Sequence, residues 1–385
     1  MRVVWVVPAV FLSGGIRIVT EYANRLQRLG HENVIVSLLP LPDQPPFHVE
    51  ARLAGADELE RLAAGADALV ATDYRAAEAV VRCRVARRRF HFVQNREALF
   101  ARRAWEQRRI ERQFAYPLIP IAISHWLAGV LRLHGKEAFV IHNGLDTTVF
   151  REYDHLRPAH NRVLVEGQSV PWKRVDLGIE AARLAGADEV WALTIGQAPA
   201  GADKTLTGLD SRGVAEVYSS CTAMVKLSDF EGYPAPQAEA MACGCPVVTT
   251  SAPGTIEYCV DGENSLVVPL RDAEAAAEAL SRLADADLSK RLVEGGRRTV
   301  REGFGWEDKV RSMEATLSGS AAPSDLACPL HSREQSERLA ALSRPYSLPY
   351  RELVTSLGKH APYGLGGLRD RAYRRVFRLP VGDGL

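Results

Sequence analysis

The chain has 385 residues, 46% of them apolar and 25% charged, with a formal net charge of +1. That length exceeds one typical domain and indicates two or three, while the near-zero charge excludes bulk electrostatic attraction to nucleic acid. No apolar run approaches the roughly 18 residues that span a bilayer. Met1–Pro8 is too short for a signal peptide and reads as a first strand, so a cytoplasmic protein, at most peripheral at the inner membrane face, is expected. Six scattered cysteines (Cys83, Cys221, Cys243, Cys245, Cys259 and Cys328) fit reduced, buried thiols better than a disulfide framework.

In chain order, Arg2 to Val7 is a near-continuous apolar strand, as in a parallel sheet covered on both faces. Ser13-Gly14-Gly15 then leads into a helix from Ile16 to Leu29, with Ile18, Val19, Tyr22, Ala23, Leu26 and Leu29 at helical spacing. Gly30 stops it, and a strand follows from Val34 to Leu39. This is a βαβ unit whose glycine turn lies at the carboxyl end of the sheet, where ligands bind. After the loop Leu39–Pro46, strands are expected at Ala68–Ala71, Phe90–Gln94, Leu118–Ser124 and Ala138–His142. Helices are expected between them at Ala76–Ala86, Glu97–Phe114 and His125–His134. Alternation of this kind predicts a doubly wound α/β domain over residues 1–150. Gln94 and Asn95, at its sheet's carboxyl end, can hydrogen-bond hydroxyl groups but cannot act as general bases near neutral pH. His91 shares a sheet face with Val93 and offers no substitute base. Eleven arginines between Arg82 and Arg112 face three glutamates there. They read as a solvated helical face or as a patch for an anionic acceptor or membrane surface.

His142-Asn143-Gly144-Leu145-Asp146 is a tight turn with Asp placed to cap it, and the polar run Arg151–Asn161 reads as a linker. The alternation restarts over residues 161–317. Strands are expected at Arg162–Glu166, Val190–Gly196, Thr222–Leu227 and Cys245–Thr250, and a helix at Val175–Ala185. Ile256–Cys259, Ser265–Pro269, Ala273–Leu283 and Lys290–Glu302 continue the pattern, and Phe304–Leu317 closes it. Asp285-Ala-Asp287 joins two amphipathic helices rather than ending a strand, so it is not a metal motif, and no other cluster has metal-ligand spacing. Cys243-Gly-Cys245 lacks the spacer and second pair of a redox or metal site. Residues 318–385 form an extension rich in Pro, Gly and Ser. Within it Leu365–Leu379 has the pattern of a basic amphipathic helix, suited to a membrane surface, a partner or the first domain.

The chemistry concentrates at Asp229–Gly244. Pro234 suits a first helical turn, and Gly244 and Pro246 stop that helix. Glu231 therefore lies in the loop entering the helix, and Glu239 about two turns inside it. Unpaired N–H groups at the helix entry suit a phosphate. Carboxylates beside it would repel phosphate but accept hydrogen bonds from sugar hydroxyls. A phosphate flanked by two polyols describes a nucleotide-sugar.

Glu231-x7-Glu239, followed by Ala-Met-Ala-Cys-Gly-Cys-Pro-Val-Val, resembles the signature of retaining glycosyltransferases of the GT-B fold, in the large GT4 group. The resemblance covers roughly residues 1–317. It implies two doubly wound Rossmann-like domains facing a central cleft, the first binding the acceptor and the second the nucleotide-sugar. It implies that Glu231 contacts the donor sugar and Glu239 the ribose, and that Gly14 and Gly15 approach the phosphates. Lys173 matches the Lys of the family's Gly-Arg-x4-Lys-Gly pattern, which lies on the diphosphate. Gln168 replaces the Arg, and Arg174 stands where Gly is usual and is the candidate to compensate. Lys173 and Glu231 are thus the expected catalytic pair, with Gly232, Tyr233 and Pro234 also on the donor and Gln94 and Asn95 on a glycan, lipid-linked or small-molecule acceptor. His142–Asp146 resembles the family's Pro-Asn-Gly-Val-Asp turn. The resemblance implies retention at the anomeric carbon without a cofactor or metal. Gln168, and Asn95 in place of the Asp of the Val-Gln-Asp-x-Glu branch that this chain resembles there, motivate the alternative of a degenerate homologue that binds a nucleotide-sugar or a partner enzyme without catalysing. An epimerase would need acid/base groups that are missing, and a dehydrogenase would need a Gly-x-Gly-x-x-Gly after the first strand.

Overall fold

Two sets of short, buried, β-branched runs define the architecture. The computed structural model describes residues 1–156 and 160–323. Cys328, the Leu365–Leu379 segment and most of the 318–385 extension lie outside the described residues. The first domain runs β1 (Arg2–Val7), α1 (Gly14–Arg28), β2 (Glu32–Ser37), β3 (Arg52–Gly55), α2 (Leu59–Ala64), β4 (Ala68–Ala71), α3 (Tyr74–Val80), β5 (Arg88–Val93), α4 (Ala104–Glu111), β6 (Ile119–Ala122), α5 (His125–Leu133) and β7 (Phe139–Val140). Its strands are all parallel, in the order β3-β2-β1-β4-β5-β6-β7. The second domain runs β8 (Arg162–Glu166), α6 (Val175–Leu184), β9 (Glu189–Leu193), β10 (Lys204–Leu206), α7 (Ser211–Ser219), β11 (Ala223–Lys226), α8 (Ala235–Ala242), β12 (Val247–Thr250), β13 (Leu266–Val268), α9 (Ala273–Arg282), α10 (Ala286–Gly303) and α11 (Trp306–Ser318). It forms a second parallel sheet, β10-β9-β8-β11-β12-β13. Strand order reverses beside β1 in one sheet and beside β8 in the other, so both switch points open at the carboxyl ends of the central strands, where α/β sheets bind ligands.

Three local differences from the sequence reading have physical reasons. The edge strands β3 and β10 carry too few buried residues to show a pattern, with only Ala54 buried in β3, and the helix α2 is too short, at 6 residues, to show its period. The expected Glu97–Phe114 helix is interrupted: Ala101 is extended, and α4 begins only at Ala104. That break lets Phe100 stack on Trp172 of the second domain, with ring centroids 5.0 Å apart. Ile256–Cys259 continues the alternation with no regular element, being turn through Tyr258, and its Glu257 is spent on an interdomain contact described below.

The last helix returns to the first domain. Trp306 packs edge-on against Tyr22 of α1 at 5.2 Å, and the Arg25 guanidinium lies 4.6 Å from its ring. His31 Nε2 and Glu314 Oε1 are 2.7 Å apart, and Leu145 N–H donates to the Phe304 carbonyl at 2.9 Å. A Cβ on Gly144 would lie 2.4 Å from the Trp306 ring, so the turn between the domains needs a glycine at that point. Asp146 caps the turn, accepting from Thr148 N–H at 3.0 Å and its hydroxyl at 2.6 Å.

Candidate active site

The second domain's lip of the cleft is a buried charge ladder. Lys173, at the end of the loop after β8, donates through Nζ to both oxygens of Glu231, at 2.7 and 2.8 Å. Ser228 Oγ donates to Glu231 Oε1 at 2.8 Å. Lys226, the last residue of β11, sits behind them, 3.3 Å from Glu231 Oε1 and hydrogen-bonded to Glu166 at the end of β8. Burial would raise the Glu231 pKa, but the charges of Lys173 and Lys226 and the bonds from Lys173 and Ser228 hold it down at about 2. Burial pulls Lys173 down, opposed by Glu231. Burial acts the same way on Lys226, but Glu166 and Glu231 outweigh it and raise its pKa. Glu231 is therefore a permanent anion near neutral pH, a hydrogen-bond acceptor and not an acid.

Beside this ladder, Asp229 is held by two arginines. Arg271 donates through Nε and Nη2 at 3.0 and 3.1 Å, and Arg174 through Nε at 3.2 Å. Arg174 (φ 49°) and Arg271 (φ 62°) are the two non-glycine residues with left-handed backbone among the described residues, a conformation that persists only where surroundings enforce it. The guanidinium of Arg174, the candidate to make up for the arginine that Gln168 replaces, lies on Asp229. Gln168 is exposed in the same loop.

Pro234 is the N-cap of α8 rather than a first-turn residue, and Pro236 falls inside the first turn. The Tyr233 side chain does not face the cleft: it is buried among His142, Tyr258 and Phe304, with ring centroids 4.6 to 5.6 Å away. Only its backbone, with that of Gly232, remains at the helix entry. Trp126 Nε1 donates to the Gly232 carbonyl at 3.0 Å. Glu239, 4% exposed, is bonded by Arg17 Nη2 from α1 of the first domain, and the Tyr218 hydroxyl lies 3.4 Å from its other oxygen.

Arg17 apart, the first domain's lip at Gly15, Gln94 and Asn95 is uncharged. Ser13 caps α1, accepting from Ile16 N–H at 3.2 Å, which places Gly14 and Gly15 in the first turn. A Cβ on Gly15 would lie 3.4 Å from the Gln94 amide, and one on Gly232 only 2.0 Å from the Gln94 carbonyl oxygen. The fold thus brings Gly15, Gln94 and Gly232 together across the cleft. Asn95 follows, its Oδ1 accepting from Arg96 N–H at 2.9 Å. His91 is buried against Phe114, and burial drives its pKa down to about 3. Glu97, three residues past Gln94, accepts from Gln113 Nε2 at 2.9 Å and from Tyr74 N–H at 3.2 Å. Burial, then the charge of Asp73, raise its pKa to about 8.

Spacing along the chain does not disclose one further cluster. Glu257 Oε2 lies 3.1 Å from His125 Nδ1 and 3.3 Å from His142 Nε2, and its two oxygens accept from the N–H groups of His125 and Trp126 that open α5. These three ligand-type residues form the one such group among the described residues. Hydrogen bonds across the domain boundary account for its geometry. Burial opposes ionisation of Glu257, but both imidazoles hold its pKa well below the carboxylate range. Asp285 caps α10 through Asp287 and Leu288 N–H, a structural role. The five described cysteines are buried and free.

Two parallel doubly wound sheets facing one cleft, closed by a helix that returns to the first domain, define the GT-B class. Residues 161–286 match the family model described as Glycosyl transferases group 1, and this stretch is a domain of that family. Over 121 residues the chain is 31% identical to an MMP alpha-(1->4)-mannosyltransferase of Mycolicibacterium hassiacum, covering 31% of this chain and 29% of that protein. Over 105 residues it is 29% identical to a D-inositol 3-phosphate glycosyltransferase of Xylanimonas cellulosilytica, covering 27% and 25%. The matches span under a third of either relative's length. Among solved structures, Anabaena HepE in complex with UDP and glucose superposes with a TM-score of 0.70 at 17% identity, over 83% of this chain and all of that one.

Proposed function

We propose that the protein is a retaining glycosyltransferase, moving a sugar from a nucleotide-diphosphate-sugar to a hydroxyl of a glycan, lipid-linked or small-molecule acceptor without a metal. The observation that carries this reading is the convergence of Lys173, Glu231 and the α8 entry on Gly15 and Gln94 of the opposite domain. As the bond from the anomeric carbon to the diphosphate breaks, its electron pair stays on the phosphate. Lys173 and the N–H groups around Gly232 oppose that growing charge. Glu231, ionised, accepts from a donor-sugar hydroxyl and shares Lys173 with the phosphate. Glu239 accepts from the ribose. Gln94 and Asn95 hold the acceptor hydroxyl, whose oxygen attacks the face the diphosphate leaves and whose proton passes to the departing phosphate oxygen. No basic side chain is needed for that step.

The reading also includes peripheral contact with an anionic surface. Arg82, Arg84, Arg87, Arg102, Arg103, Arg108 and Arg112 are exposed, together with Trp105. Arg88, Arg89, Arg96 and Arg109 are less exposed, and each is bonded within the fold. No helix among the described residues is long and apolar enough to cross a membrane. Sedimentation with anionic but not zwitterionic vesicles tests this part.

The central test is a thermal-shift panel of UDP, GDP, ADP and dTDP, each with and without EDTA, because a ligand of the native state raises the melting temperature. One nucleotide that binds equally well with EDTA, with product formed by the parent and not by Lys173→Ala, supports the assignment. No response at millimolar nucleotide would shift the reading to a binding homologue without activity.

A further inference from the structure

Arg17 is a cation that the mechanism above leaves unused. It lies in the first turn of α1, two residues past Gly15. Its guanidinium bonds Glu239 of the opposite domain, and the Phe150 ring lies 5.9 Å away. Its side chain stays 27% exposed although Glu239 is buried. The cations around the α8 entry are paired within their own domain: Lys173 with Glu231, Lys226 with Glu166, Arg174 and Arg271 with Asp229. Arg17 differs twice over. Its carboxylate partner belongs to the other domain, and that carboxylate is the one assigned to the ribose.

A nucleotide that engages Glu239 therefore meets Arg17. Ribose hydroxyls donating to Glu239 compete with the guanidinium for the same lone pairs. The diphosphate joined to that ribose brings concentrated negative charge into an arginine's reach, in the planar geometry that a guanidinium matches best. We propose that Arg17 is a donor-binding residue supplied by the first domain: it neutralises Glu239 without ligand and turns to the diphosphate when the ribose takes Glu239. This rests on the nucleotide-sugar reading. Donor binding then exchanges this interdomain contact for a grip on the phosphate from both sides.

The test is calorimetry with a nucleoside and its diphosphate, using the base selected by the thermal-shift panel, on the full chain. Arg17→Gln should weaken the diphosphate about tenfold or more, the scale of one charge-assisted hydrogen bond, and leave the nucleoside within about threefold. Gln168→Arg, in the loop that carries Lys173, should recover part of the loss when combined with Arg17→Gln. Equal weakening of both ligands would overturn the proposal, leaving Arg17 to position Glu239. Tightening of both would also overturn it, leaving Arg17 a block on the site. Arg17→Lys covers the case in which Arg17→Gln fails to fold: intermediate loss for the diphosphate supports the proposal and no loss overturns it. If the parent binds no nucleoside diphosphate at all, the underlying reading fails first.

Discussion

The two lips of the cleft each bury a carboxylate and treat it in opposite ways. In the second domain Glu231 is bonded by Lys173 and Ser228 and approached by Lys226, and its pKa falls to about 2. In the first domain Glu97 accepts from a neutral amide and a backbone N–H, with Asp73 nearby, and its pKa rises to about 8. The buried carboxyl of one lip is thus charged near neutral pH, while that of the other keeps its proton. A fixed cation and anion pair suits a group that must meet a developing phosphate charge without reorganising. A lip lined by Gly15, Gln94 and Asn95 suits a neutral hydroxyl.

The largest effect should come from breaking the charged lip at its base. Lys226→Met leaves Glu166 and Glu231 short of their shared buried cation and should cost about 3–5 kcal/mol in urea unfolding. A loss below about 1 kcal/mol would mean that the ladder behaves like a surface pair. Acid sharpens the same point. Glu231 has a depressed folded-state pKa, so the stability it contributes is present above pH 4.5 and is lost as pH falls toward 2. Glu231→Gln should flatten that part of the acid unfolding curve; an unchanged curve would count against the pairing. Smaller again is the contact between the lips. Gly232→Ala sets a Cβ against the Gln94 carbonyl, and the strain of about 1–3 kcal/mol should appear as a more open particle by small-angle scattering. Identical scattering would show that the lips do not touch in solution.

Most of the frame is legible in the sequence because it rests on local pattern. The β1-α1-β2 unit, the two runs of alternating elements and the Glu231-to-Glu239 spacing all follow from residues near one another in the chain. What escapes are pairings made by the fold. Lys226 reads as part of an apolar strand, and only the stacking of β8 beside β11 gives it Glu166. Arg17 meets Glu239 across 222 positions of chain, and Glu257 meets His125 across 132. Arg174 reads as a candidate to compensate for Gln168, and its left-handed turn and facing Asp229 are tertiary facts of the same kind. Tyr233 reads as a donor residue because it lies next to Gly232, but the aromatic cluster around His142 takes its ring.

The last effect, opposite in sign, belongs to the first domain's carboxyl. A carboxyl whose folded-state pKa is raised contributes stability that is fully present below its unfolded pKa and is lost as pH rises through the folded value. For Glu97 that window runs from 4.5 to about 8. Over that range the unfolded chain has already lost the proton that the folded protein keeps, so folding must recover it. Glu97→Gln removes the requirement while preserving an oxygen for Gln113 and the Tyr74 N–H. The substitution should therefore stabilise the protein, by roughly 1 kcal/mol for each pH unit gained between 4.5 and about 8, and make no difference below pH 4.5. Urea midpoints of parent and variant across that range decide the matter. A variant equally destabilised at every pH would mean that Glu97 is held as an anion, and the contrast between the two lips would fall.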